Sequence, residues 1–387
     1  MKVAVLGGFG AMAEAALRDL AGQPEVSQVA AVDLSIERAP QVLSRLPRPL
    51  RRKIAPLKAD LAGAAPRLGG VDVVLNCAWY ELNLRAMDLA LRLRAHYVDL
   101  GGLYHMTLKQ LKRAAEFRRA GRLAVLGCGS TPGITNMMAA RMAGDFTAID
   151  SATFYDASHE PPRPQTDFSP PFSIRTMLSE HAAPAPVLKG GRIVELPARG
   201  EEEWLDFPSP IGRVKTCAVI HSEAATLPAY LKPWGLRELS FKIAYPQPVL
   251  NQLDALAAMG FGRDPEALAF LTRWAARRAL KDDAGRPRDF EVLRARLAGR
   301  RGKLPLVKEW DCELRPTRLL SAGTLGVGCA GAIAARLCAL GKTKLRAGAG
   351  GPESVLDEAA FFSELLGRPS FSLIERTAHP LQDKELS

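Results

Sequence analysis

The chain has 387 residues, 47% apolar and 24% charged, with a net charge of +11, a balance that fits two globular domains and excludes a disordered chain. Its six cysteines, Cys77, Cys128, Cys217, Cys312, Cys329 and Cys338, form no C-x-x-C pair, and its basic residues are scattered without aromatic interleaving. Neither a zinc site, a disulfide framework nor a nucleic-acid surface is therefore expected. No apolar run approaches the roughly twenty residues that span a bilayer, and the amino terminus enters a strand without a basic leader, so the expectation is a cytoplasmic protein with no membrane partner.

The apolar run Val3–Leu6 enters Gly7-Gly8-Phe9-Gly10-Ala11-Met12-Ala13, followed by a helical stretch and a second strand, Val29–Asp33. Gly7 permits a tight turn, Gly10 lets a pyrophosphate approach the backbone, and small Ala13 lets the helix pack close to the strand. The helix amino terminus offers free N–H groups to the phosphates. Asp33 stands about twenty residues on, where a carboxylate can hold both ribose hydroxyls. The pattern is G-x-x-G-x-x-A rather than G-x-G-x-x-G, and its bland alternative is a glycine turn with no nucleotide. The strand before it and the acid after it favour a dinucleotide site. The charge of Asp33 would repel a 2′-phosphate, which favours NAD, with NADP kept as the alternative because Arg38 follows.

Further strands are expected at 54–59, 71–76, 96–99 and 123–126, with amphipathic helices such as 82–93 and 108–118 between them. Strands apolar almost throughout belong to a parallel sheet covered on both faces. The fold class is thus α/β, a Rossmann-type doubly wound parallel sheet over 1–145. From about Ser151 proline-rich turns alternate with β-like segments at 152–155, 187–194, 215–220 and 239–244. These suggest an α+β domain over 146–318, with a mixed or antiparallel sheet that walls a substrate cleft and carries oligomer contacts. The stretch 253–300 reads as helical and charged, and 304–314 as a last strand. The small-residue run 321–335 reads as a closely packed helix, and 319–387 as a tail returning to the first domain.

Three segments follow carboxyl ends of the expected parallel strands, where open α/β sheets bind ligands: Asn76-Cys77-Ala78-Trp79-Tyr80, Asp99-Leu100-Gly101-Gly102 with His105, and Gly127–Asn136. Pro132, between Gly129 and Gly133, suits the first turn of a helix aimed into the cleft. No paired base accompanies Cys128, which reads as a small cleft-lining residue rather than a nucleophile.

Asn76-Cys-Ala, Tyr97-Val-Asp-Leu-Gly-Gly102, Gly129-Ser-Thr-Pro-Gly-Ile-Thr-Asn136 and His221-Ser-Glu-Ala-Ala-Thr-Leu-Pro228 resemble the saccharopine dehydrogenase-like superfamily and, within it, the bacterial lysine 6-dehydrogenases. The resemblance implies an NAD(P)-dependent oxidoreductase acting on the C–N bond of an amino acid. Its form here would be oxidative deamination of the lysine side-chain amine, by hydride transfer through an imine. It also implies a homo-oligomer, dimer or tetramer. A saccharopine or carboxynorspermidine dehydrogenase is the rival reading, and a non-catalytic NAD(P)-binding protein a third.

Amine oxidation needs a base to deprotonate the amine and a carboxylate near the developing iminium. Asp99 is the first candidate, with His105 and Glu223 behind it. The alternatives are that Asp99 caps its own turn and that Glu223 is solvated on a loop. Cofactor contacts are expected from Gly7, Gly8, Phe9, Gly10, Ala11, Met12, Asp33, Asp60, Asn76, Cys77, Ala78, Leu100, Gly101 and Cys128. Substrate contacts are expected from Tyr80, Gly102, Thr131, Pro132, Arg163, Arg175 and His221, the two arginines as forks for a substrate carboxylate. No metal ligand is expected.

Overall fold

The computed structural model describes residues 1–63, 66, 68–160, 173–245, 247–261, 264–279 and 287–378. Val3–Leu6 is fully buried because both faces of its strand are covered. The first unit runs β1 (Lys2–Leu6), α1 (Ala11–Gly22), β2 (Gln28–Asp33), α2 (Ala39–Ser44), α3 (Arg48–Arg51), β3 (Ile54–Lys58) and β4 (Val73–Asn76). It continues with α4 (Asn83–Leu93), β5 (His96–Asp99), α5 (Leu103–Leu111), α6 (Ala114–Ala120), β6 (Leu123–Val125) and α7 (Ile134–Ala143). Its strands pair in the order 6-5-4-1-2-3, all parallel. The order reverses between β1 and β4, which opens a crevice at their carboxyl ends. This is the Rossmann-type sheet the sequence indicates.

The second unit comprises β7 (Ala148–His159), α8 (Ile174–Ala182), β8 (Ala185–Lys189), β9 (Arg192–Leu196), β10 (Glu203–Asp206), β11 (Arg213–Ala218), α9 (Glu223–Leu231) and β12 (Glu238–Ala244). Then come α10 (Gln247–Ala258), α11 (Pro265–Ala279), β13 (Phe290–Arg301) and β14 (Leu304–Leu314). The sheet is mixed: β12 runs parallel to β7, while β11 on β12, β13 on β7 and β14 on β13 are antiparallel. Residues 290–300, expected to be helical, form a strand instead. Their Leu, Arg and Ala content favours helix locally, but pairing with strands on both sides overrides that weak preference.

The carboxy-terminal segment consists of α12 (Ala322–Ala339), β15 (Gly348–Gly350), α13 (Pro352–Val355), α14 (Glu358–Leu366) and β16 (Phe371–Ala378). By length and composition α12 is apolar enough to cross a membrane, yet 78% of it is buried within the protein. It lies beside α1 so closely that a Cβ on Gly328 would stand 2.6 Å from both the Met12 carbonyl oxygen and Ala15 Cβ. At its far end Arg336 pairs with Glu25 and, at 2.9 Å, with Glu364. β15 adds a seventh parallel strand beside β6. β16, by contrast, pairs with β14 of the second sheet, so the tail binds both units rather than the first alone.

Candidate active site

The glycine turn leaves β1 with Gly7 at φ +66°, and a Cβ there would lie 2.8 Å from the Ala78 backbone. Only glycine fits this contact between the turn and the segment after β4. Gly10 begins α1, and no side chain caps the helix, so the first-turn N–H groups remain for a phosphate. The Asp33 carboxylate, at the end of β2, accepts the Phe9 amide at 2.9 Å and the Ser35 amide at 3.2 Å. It is thereby fixed beside the turn, where an adenosine ribose would sit. Gly7 to Met12 and Asp33 thus form one constellation that fits a dinucleotide. Asp60 is exposed after β3 and caps its own turn through the Ala62 amide at 2.7 Å.

Asn76 is buried and donates to Asn83 at 2.8 Å, while its oxygen accepts the Ala78 amide at 3.2 Å. It shapes the Cys77–Ala78 turn from behind. Cys128 is also fully buried; its thiol points at the Ala330 carbonyl of α12 at 3.6 Å, and burial pushes its pKa well up. It therefore packs under the sheet instead of lining the cleft, which corrects the sequence expectation.

Asp99 requires the largest correction. It is 1% exposed; one oxygen accepts the amides of Gly127 at 2.8 Å and Gly101 at 3.0 Å, and the other accepts Gln110 Nε2 at 2.5 Å. Burial raises its pKa, against the opposing pull of these donors. A carboxylate enclosed in this way brackets two loops, among them Leu100–Gly101, and is shut off from a substrate proton by its burial. Gly102 is similarly structural, buried against Gln110 and Asn83. His105 lies exposed on α5, its ring edge-on to Tyr104 at 5.3 Å, and takes no part in a buried site.

The ionisable groups that converge come from the second unit. His221 stacks on Phe241, ring centroids 3.9 Å apart, and its Nδ1 meets Glu223 in a short contact. Glu223 opens α9 fully buried rather than solvated, and its other oxygen accepts the Thr135 hydroxyl at 3.0 Å. Burial would lower the His221 pKa, but Glu223, Glu180 and Asp156 together hold it above its ordinary value. Glu180 of α8 accepts the Tyr245 hydroxyl at 2.8 Å, and burial pushes its pKa up to about 7. Asp156, half-buried on β7, faces the Thr131 hydroxyl at 3.4 Å, and burial pushes it up to about 6. His221 thus stands among three acidic side chains.

This cluster lies at the seam between the units. Thr131 and Thr135, from the loop and helix after β6, reach Asp156 and Glu223; Thr107 of α5 donates to Ser222 at 3.1 Å. Pro132 belongs to the same loop. Arg175 of α8 lies over the Trp79 ring at 3.5 Å and 3.8 Å from Glu81, and burial raises the pKa of Tyr80. Thr131, His221 and Glu223 thus meet at this seam, and Tyr80, beside Arg175, lies near Glu180. Arg163 lies outside the described residues.

Asp156, Glu180 and Tyr245 were not singled out from the sequence. Strand alternation places Asp156 on the same face as Ala152 and Phe154, and Glu180 interrupts the buried stripe Met177, Leu178 and His181 of α8. A carboxylate on an otherwise apolar face was the available signal. Among the described residues no group of His, Cys, Asp and Glu is arranged to hold a metal.

Residues 3–125 match the profile of the saccharopine dehydrogenase NADP binding domain. The whole fold is similar to apo saccharopine dehydrogenase (L-Glu forming) from Saccharomyces cerevisiae, at 16% identity and TM-score 0.70 over 97% of this chain and 99% of that one. GenD2 from gentamicin A biosynthesis, in complex with NAD, aligns at 13% identity and TM-score 0.44 over 98% and 97% of the two chains. Residues 3–125 thus form a nicotinamide-dinucleotide-binding domain of the saccharopine dehydrogenase type, carried in a chain with the fold of a saccharopine dehydrogenase.

Proposed function

We propose that this protein oxidises a C–N bond of an amino acid, with the side-chain amine of L-lysine as its substrate. The observation that carries the reading is the placement of Asp156, Glu180 and Glu223 around His221, where the second unit meets the carboxyl edge of the dinucleotide domain. Buried carboxylates that outnumber the cations near them favour a cationic guest, and an alkylammonium satisfies that requirement.

A bound nicotinamide dinucleotide supplies the hydride acceptor. Asp156, the more accessible of the raised carboxyls, takes the ammonium proton and leaves a neutral amine that can release hydride from its carbon. As positive charge develops on the substrate nitrogen, Glu180 and Glu223 stabilise it. Water then adds to the iminium, releasing ammonium and an aldehyde. Arg175, held over the Trp79 ring and only loosely engaged by Glu81 at 3.8 Å, offers its guanidinium fork to the substrate carboxylate. Asp33 favours NAD over NADP, since a 2′-phosphate would meet its charge. The reading includes a cytoplasmic setting and a homo-oligomer.

The test is absorbance of reduced nicotinamide, using NAD or NADP with L-lysine, L-ornithine, diamines and saccharopine at mildly alkaline pH. Reduction of NAD with lysine supports the proposal. Reduction with saccharopine alone would replace it by the rival, and no reduction with any amine would set the oxidoreductase reading aside.

A further inference from the structure

We propose that the outer face of the second sheet carries a separate binding site, for the zwitterion of a small α-amino acid. A concavity of about 320 Å³ lies over β7, β12 and β13, walled by β8 and by residues 201–203. That volume is at the small end of the range for small-molecule sites. In its floor Thr153 pairs in register with Arg296 on one side and Ser240 on the other, while Ser151 pairs with Ala298 and Glu238. Side chains in one register row project from the same face.

Most charges here are already matched. Lys189 meets Glu201 and Lys242 meets Glu203, each at 2.6 Å, and the Tyr155 hydroxyl adds a bond to Glu203 at 3.2 Å. What remains is specific. Arg296 has no hydrogen bond or ion pair to any described residue, and neither do the hydroxyls of Ser151 and Ser240. Glu238 accepts the Gly190 amide through one oxygen at 2.7 Å, its charge also reaches Lys189, and its other oxygen has no hydrogen bond to any described residue. An open guanidinium with two hydroxyls suits a carboxylate, and an open carboxylate suits an ammonium. A zwitterion uses both; a lone anion or amine uses half.

The site is distinct from the cleft because strand alternation separates them. On β7, Tyr155 lines the concavity and Asp156 faces the cleft; on β12, Lys242 and Ser240 line it while Phe241 lies under His221. The proposal therefore does not rest on the function proposed above.

Titration calorimetry of the full chain with glycine, L-alanine and L-glutamate tests it, with Arg296→Ala and Asp156→Asn as the paired variants. At least one amino acid should bind the wild type, lose at least tenfold in affinity in R296A, and stay within twofold in D156N. Arg296 is exposed, so its removal should leave the melting temperature unchanged; R296K, which keeps the charge but loses the fork, should fall between. No heat with any of the three, or binding that R296A retains and D156N loses, would overturn the proposal. A failure of turnover in the absorbance assay leaves these binding outcomes unaffected.

Discussion

The carboxylate of Asp99 accepts the Gly127 amide at 2.8 Å, and through that bond the end of one parallel strand fixes the loop leaving its neighbour. Asp99→Asn keeps an oxygen for the two amides but turns an NH2 toward Gln110 Nε2, leaving donor against donor. We expect it to destabilise the fold by about 1–3 kcal/mol, the range for a buried polar group that loses its partner. Thermal denaturation should show the loss. If instead stability is unchanged and only turnover falls, Asp99 acts on the substrate directly.

Asp33 joins the Phe9 amide to the ribose side of the crevice. Asp33→Ala should weaken NAD binding about tenfold, equivalent to about 1.4 kcal/mol, and narrow the gap between NAD and NADP. Protein fluorescence titrated with each cofactor checks it. An equal loss for both cofactors would show that Asp33 shapes the turn without selecting the ribose.

Glu180 bears on pH dependence. Burial lifts its folded pKa to about 7 from an ordinary 4.5, so the folded state holds the proton more tightly than the unfolded chain. Its contribution to stability is therefore complete below about 4.5 and is lost as pH rises through about 7. Denaturant titrations across that window should show a falling stability that flattens in Glu180→Gln. An identical slope in the two proteins would place the proton elsewhere in the cluster.

Gly328 faces backbone rather than flexible side chain, so its neighbours cannot yield. Gly328→Val should cost about 1–3 kcal/mol through overpacking. Because the contact falls at Met12, in the first turn of α1, NAD affinity should fall along with the melting temperature. A variant that melts early yet binds NAD normally would mean that the glycine turn is insulated from α12.

Glu223→Gln removes the charge that most strongly opposes the effect of burial on His221. The His221 pKa, followed by NMR, should move down, and turnover should fall more than tenfold as His221 loses its partner. An unmoved histidine resonance would assign the stabilising role to Glu180 and Asp156.

Features written in contiguous residues are legible in the sequence itself. The glycine turn, the acid at the end of the second strand and the apolar runs of the parallel sheet depend on neighbours a few residues away, and their local pattern determines their conformation. The small-residue helix was equally plain, since only a close partner requires so many missing side chains. What a carboxylate does is not local. Asp99 became a bracket because Gly127 and Gln110 arrive from elsewhere in the chain, and Glu223 became buried because Thr135 lies against it. Asp156, Glu180 and Glu223 are separated by tens of residues, and only the packing of α8 and β7 around His221 makes them one site. The strand at 290–301 follows the same rule, its helical propensity outweighed by ladders on both sides. Short-range sterics set the dinucleotide half of this protein, and long-range burial of charge set its chemical half.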